Sequence, residues 1–399
     1  MWRYNHQALL MKNPFIRAFL IVLSSSLLVV LVAFLVWLFK PSHTLEVFIL
    51  DKTVPTQERR EHQSFHWVLN QEKYVKQDGN RYDLKKDYYG FFPIKPEKQQ
   101  FDFRSLSLRD VETISDRVDM AYYTDTYGVY YNDWYTENGP DVSGDQKVYG
   151  GLNQNDYLLL KALMEKGKTI LTEFVLLDKS ASGLVRKKTE DLLHLQWEGW
   201  IGKHFESLKP DSCPAWIVKL YKSQNQGQWP FTSPGVVLIH KYGKVVVLED
   251  QKHLSGDMPV IYTKPQLTRQ YNLPDTIPYS NWFDIIQTDS VGKVLADFQL
   301  QTTPEGDSLL ANFRLKADFP AIIHHAADYQ FYYFAGDFSQ NNIRTTTSYF
   351  EGAGLVDFLF HAKDQNSSTY FFYRYYRPLI RGILKETHQQ ASHTGVQQK

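Results

Sequence analysis

YGGLNQNDYLLLKALMEKGKTILTEFVLL, Tyr149 to Leu177, is the stretch that decides the fold. Gly150 and Gly151 make a turn, and Asn153 or Asn155 can cap a helix. Tyr157, Leu160, Leu163 and Met164 recur at helical spacing and share one face. Gly167 stops that helix. The short apolar run Thr169 to Thr172 then ends at Glu173, as a buried strand does. Helix, tight turn and buried strand form one α/β unit, and such units build parallel sheets with helices on both faces.

The alternation extends in both directions. LEVFIL, Leu45 to Leu50, is continuously apolar and ends at Asp51-Lys52. ERREHQSFHWVLN follows as a helix with Phe65, Val68 and Leu69 on its apolar side. A second strand is expected over Tyr88 to Phe92. In VDMAYYTDTYGVYY, Val118 to Tyr123 reads as a strand, which leaves Asp125 and Tyr127-Gly128 in the loop beyond it. Downstream, TEDLLHLQWEGW predicts a helix running into an aromatic turn. GVVLIHKYGKVVVLE predicts a β-hairpin with Tyr242-Gly243 in its turn. Short β-runs such as DYQFYYFAGDF alternate with polar loops thereafter, without internal repeats.

The fold class expected is α/β: a mostly parallel sheet with helices on both faces, a β-rich C-terminal part and one N-terminal transmembrane helix. The boundaries are a cytoplasmic N-terminus over 1–17, the transmembrane helix over 18–39 and an α/β domain over 44–250. Residues 251–386 complete that domain or are appended to it. The polar tail 387–399, HQQASHTGVQQK at its end, is expected to be disordered.

AFLIVLSSSLLVVLVAFLVWLF, Ala18 to Phe39, carries no charge. About twenty such residues, rising roughly 1.5 Å each, span a hydrocarbon core of about 30 Å. A cleaved signal peptide would have a shorter apolar run and a small-x-small cleavage site, and VWLFKPSHT offers none. Arg3, Lys12 and Arg17 precede the span and Lys40 alone follows, so the N-terminus is expected in the cytoplasm and the rest outside. Trp37 would lie near the outer interface.

The 399 residues are 43% hydrophobic with 44 basic and 44 acidic side chains, a composition that folds and gives no reason to expect a nucleic-acid partner. The single cysteine, Cys213, cannot form an internal disulfide. Aromatic content is 15%, which suits both binding surfaces and β-sheets.

The Asp119 strand, Tyr149-Gly-Gly-Leu152, the long helix and the strand to Glu173 together resemble class I glutamine amidotransferase-like domains. The resemblance is to the non-glutaminase branch, as in β-galactosidase trimerisation domains and ThuA-like proteins. FPAIIHH…FYYFAGDF is similar to the late hairpin of such domains. Glutaminases of this class place a cysteine on a strand-to-helix elbow, with a histidine and an acid. Cys213, in KPDSCPAW, is on no such elbow, so no catalytic residue carries over from the family.

In open α/β sheets ligands bind beyond the carboxyl ends of the strands. That rim would hold Asp51, Lys52, Asp125, Tyr127 and Glu173, with Trp134 nearby. Asp125 and Glu173 are the catalytic candidates, as acid and base or nucleophile on a glycoside. Tyr127, Tyr130, Trp134, Trp197 and Trp200 suit the faces of sugars or, alternatively, the core. Asp337 in FAGDFS and Glu351 in FEGAG carry the same two readings. His62 and His66 lack the glutamate of a zinc-binding HExxH helix and are expected as a solvated or packing pair. His324-His325 would face opposite sides of a strand. FFYRYYRP is expected as a strand, or as a basic-aromatic face near a membrane. No GxSxG elbow appears and neither P-loop nor GxGxxG opens a helix, so phosphate or dinucleotide binding has no support and no cofactor is expected; neither histidine pair predicts a metal site. These features predict a role in binding or handling an envelope glycan. The alternatives are a glycan hydrolase using rim carboxylates and a structural ectodomain that binds an envelope protein.

Overall fold

The computed structural model describes residues 14–135, 146–354 and 366–397. Arg3, Lys12 and most of the expected cytoplasmic segment lie outside them. Helix α1 (Pro14–Phe39) comes first. It is followed by β1 (Val47–Asp51), α2 (Arg60–Gln71), β2 (Tyr89–Lys95), β3 (Gln100–Arg104), α3 (Leu108–Arg117), β4 (Met120–Asp125), α4 (Gln154–Glu165) and β5 (Thr169–Glu173). Next come α5 (Gly183–Leu193), β6 (Leu195–Phe205), α6 (Ala215–Gln224), β7 (Gly235–His240) and β8 (Val245–Glu249). The last third holds β9 (Val260–Thr263), α7 (Pro265–Tyr271), β10 (Thr276–Pro278), β11 (Phe283–Thr288), β12 (Lys293–Gln299) and α8 (Pro304–Ala311). It closes with β13 (Asp318–Ala326), β14 (Gln330–Phe334) and α9 (Arg377–Gln397).

Ten strands form one sheet in the order β10-β9-β12-β13-β14-β5-β4-β1-β2-β3. The central strands β14, β5, β4, β1 and β2 run parallel. Both flanks pair antiparallel, which corrects the expectation of a mostly parallel sheet. The connections explain this: β2 to β3 and β13 to β14 are joined by a few residues, too short for a parallel crossover. Taken in chain order, the parallel strands lie second-first-third-fourth-fifth. In this doubly wound order the winding reverses between β1 and β4. A smaller antiparallel sheet, β8-β7-β6-β11, packs alongside.

Tyr122 and Tyr123 are neighbours on β4 and therefore point to opposite faces. Tyr122 meets Phe65 of α2 at 4.4 Å and the Tyr376 hydroxyl, just before α9, at 3.3 Å. Tyr123 donates to the Asp156 carbonyl in α4 at 3.0 Å. Helices thus cover both faces, and β1, β4 and β5 are buried along nearly their whole length. That double burial is why they read as unbroken apolar runs.

Three local expectations are corrected. LQWEGW belongs to β6 because α5 stops at Leu193, His194 turns left-handed (φ 55), and buried Leu195 and Trp197 alternate with exposed Gln196. FFYRYYRP is helical, with Phe371, Phe372, Tyr375 and Tyr376 buried at the spacing of one helix face. The tail from 387 continues α9 to Gln397 and is not disordered as expected. Thr387 is buried, His388 Nδ1 lies 3.0 Å from the Thr44 carbonyl, and Gln390 donates to the Gly167 carbonyl.

Candidate functional site at the rim of the sheet

Asp51 and Asp125 end β1 and β4 and are register partners across the point where the winding reverses. Asp51 is fully buried. Its Oδ1 accepts from the Thr53 amide at 3.0 Å, and its Oδ2 sits 2.5 Å from His62 Nδ1. His62 Nε2 donates to the Leu84 carbonyl at 3.0 Å. With both ring nitrogens engaged, His62 orients Asp51 and has none left for a substrate. His66 packs on His62 at 5.2 Å, and burial holds its pKa well below the ordinary value.

Asp125 is half-buried. Its Oδ1 accepts from Thr53 Oγ1 at 2.6 Å and the Tyr127 amide at 2.7 Å, while the Gly128 amide donates to Thr53 Oγ1 at 2.7 Å. This loop presses against its neighbour so closely that a Cβ on Gly128 (φ 108) would lie 2.2 Å from the Tyr149 carbonyl. Tyr127 is half-buried with its ring 4.7 Å from that of Tyr130.

Two more carboxyls converge here. Glu61 lies in the first turn of α2, and Asp337 follows β14. Burial raises Glu61 well above its ordinary value, and Asp51, Asp125 and Asp337 push it further. Burial likewise raises Asp125, helped by Asp51 and Asp337. Asp337 is pushed up to about 7 by burial, with the Lys203 charge opposing. A carboxyl poised near neutrality can donate as well as accept hydrogen bonds.

Glu173 has a different task. Its Oε1 accepts from the Tyr122 hydroxyl at 2.5 Å, and its Oε2 from the Phe338 and Ser339 amides at 3.1 Å each. Both oxygens are used, so Glu173 fixes the loop that carries Asp337 and is not set against Asp125 as an acid–base pair. Lys52 is buried in a 2.5 Å ion pair with Asp156, the capping acid of α4, and also donates to the Gly151 carbonyl. Trp134 packs with Phe91 and Phe101 in a separate small cluster. Lys52 and Trp134 therefore stand apart from the converging acids, and Trp197 and Trp200 are buried on β6.

Glu61, Arg59, Lys203 and Trp282 escaped the reading of the sequence. Lys203 lies 5.5 Å over the Trp282 ring, and the Trp282 carbonyl accepts from the Asp337 amide at 2.9 Å. Arg59, left-handed at φ 54 and buried, places its charge near Asp51. The available signal was the charged run ERREH, which opens a helix just after an acid-ended strand.

The sharp turn after β5 is made by Val175 at φ 63, a strained conformation for a β-branched residue. That position carries no nucleophile. Cys213 is buried elsewhere, near the Ser207 carbonyl, and burial raises its thiol pKa. No group of three or more His, Cys, Asp or Glu among the described residues is arranged to hold a metal ion.

Topology and rim together define an α/β protein with a doubly wound parallel centre, antiparallel flanks and one N-terminal helix long and apolar enough to cross a membrane. No protein-family model matches the chain, and no curated protein does. Among solved structures it is similar to a ThuA-like protein from Bacteroides uniformis ATCC 8492 (11% identity, 83% of this chain and 96% of that one, TM-score 0.30). It is also similar to a β-galactosidase from Bacillus circulans sp. alkalophilus (10% identity, 74% and 30%, TM-score 0.31). A third is the exo-β-1,4-mannosidase Op5Man5 from Opitutaceae bacterium strain TAV5 (8% identity, 83% and 36%, TM-score 0.31). Likenesses this distant carry no argument, and the site rests on its own geometry.

Proposed function

We propose that the chain is a single-pass membrane-anchored protein whose exported, non-glutaminase amidotransferase-like domain binds a polyhydroxylated ligand of the envelope-glycan class. The supporting observation is the convergence of Asp125, Glu61 and Asp337 where the winding reverses, on a rim that also carries the Tyr127 ring. Sugar hydroxyls both donate and accept, which suits Asp337, whose pKa is pushed up to about 7, beside two further carboxyls raised by burial. Aromatic rings supply flat apolar faces for the C–H side of a sugar. A strand end holds Asp125, the first turn of α2 holds Glu61 and a hydrogen-bonded loop holds Asp337, so little ordering cost opposes binding. Titrating the purified full chain with envelope oligosaccharides by calorimetry tests this. Saturable binding that weakens severalfold in Asp125→Asn is expected, and absence of binding across the panel would overturn it.

Glycan hydrolysis is a second reading, favoured by Asp337, whose pKa of about 7 suits a general acid. Turnover lost in Asp337→Asn with binding retained would establish it.

A further inference from the structure

The last turns of α1 are built into the domain. Trp37 is 1% exposed, donates through Nε1 to the Asn70 carbonyl at 3.1 Å, and meets the Tyr349 ring at 5.0 Å. Phe34 lies 6.1 Å from Phe350, and the Glu351 amide donates to the Ala33 carbonyl at 3.0 Å. Lys73 donates to the carbonyls of Leu38 and Lys40 at 2.7 and 2.9 Å. That places a cation at the helix C-terminus, where the dipole favours one. From Arg17, its first charge, to Phe39, α1 reaches about 33 Å against a hydrocarbon core of about 30 Å. Its last turn therefore stands at the level of the lipid headgroups.

Cations surround that level. Arg81 sits 4.7 Å over the Trp37 ring, and Lys40, Lys73 and Arg381 are close by. The acids paired with them are Glu72, which bridges Lys40 at 2.8 Å and Arg381 at 3.2 Å, and Glu351, 3.7 Å from Lys40. Beside α1 runs a groove of 640 Å³, walled by Val32, Leu35, Val36 and Phe39, with Lys40, Glu351 and Arg381 at its polar end. The Arg381 side chain is 57% exposed, so its guanidinium keeps an open face while Nε holds Glu72.

An apolar trough at headgroup depth, whose end gathers Lys40, Lys73, Arg81 and Arg381 against the two acids Glu72 and Glu351, matches one kind of molecule. We propose, resting on the anchored reading above, that this groove holds an anionic phospholipid. Its phosphate meets the open face of the Arg381 guanidinium, on the side away from Glu72, and an acyl chain lies along α1.

The full chain is reconstituted in phosphatidylcholine nanodiscs carrying a minor fraction of phosphatidylglycerol, and retained lipid is read by native mass spectrometry. Phosphatidylglycerol should be retained over phosphatidylcholine. It should be lost severalfold in Arg381→Glu and kept in Lys219→Glu, an exposed charge on α6. Arg381→Gln serves the same purpose if the reversed charge disturbs folding. Equal retention of both lipids, or retention unchanged by the Arg381 variants, overturns the lipid site while leaving the anchor intact. A chain that washes off membranes in alkaline carbonate overturns the anchor and the site with it.

Discussion

At the scale of single residues, Tyr127, Asp337 and Lys52 do separate jobs. Tyr127 is half-buried at the rim, so on the proposed glycan-binding reading Tyr127→Ala should weaken binding by about 1–2 kcal/mol, the worth of a lost aromatic contact. Its melting temperature should fall little. A core ring would instead cost about 3–5 kcal/mol of stability with binding intact, and calorimetry with melting of the same variant separates the two. Asp337 has its folded pKa raised to about 7. Below the unfolded carboxyl value both states are protonated and nothing is lost. As pH rises from there to about 7, the unfolded chain ionises while the folded group resists, so stability declines. Asp337→Asn should remove this decline, seen as a gain over the parent in urea midpoint that grows from pH 5 to pH 7 and then levels. Lys52→Ala strands the buried Asp156 carboxylate and should cost about 3–5 kcal/mol, measured by the same denaturation.

At the scale of elements, β1, β4, α4 and β5 were legible because each is closed into the core on both sides or capped by its own residues. Asn153 and Asp156 form a reciprocal cap at α4, and the continuous apolar runs of the strands leave no other pattern to follow. Asp51 and Asp125 could be placed at a rim for the same reason. Asp337 and Lys203 could not, because only the order of strands brings β6 and the end of β14 to that rim, and local pattern does not encode strand order. The helix at FFYRYYRP and the helical tail were missed because aromatic and polar composition outweighed the spacing of the buried positions. The end of α1 gives a sharp test at this scale. Trp37 is buried under Tyr349 and Arg81, so Trp37→Ala should lower the stability of the full chain by about 3–5 kcal/mol, read as a lower unfolding midpoint in detergent. A helix that only tethered the domain would leave the midpoint unchanged.

At the scale of the whole molecule, the proposed anchor raises the question of which side of a membrane carries the rim. Insertion follows the charges flanking a span in sequence, and a long following domain crosses largely regardless of its own charge. Arg3, Lys12 and Arg17 precede the uncharged run Ala18–Phe39, and Lys40 stands alone just after it. The cations at the end of α1 do not contradict this, because Lys73, Arg81 and Arg381 reach that place only through folding. They are far along the chain when the span inserts. The chain offers a clean probe, since its single cysteine, Cys213, is buried and Tyr242 in the β7–β8 turn is 85% exposed. Cys213→Ser should leave binding unchanged, because a buried thiol with a raised pKa is not a nucleophile. In that background Tyr242→Cys should react with a membrane-impermeant maleimide on intact cells to the same extent as after lysis. Labelling that appears only after lysis would put the rim in the cytoplasm, and an envelope glycan could then no longer be its ligand.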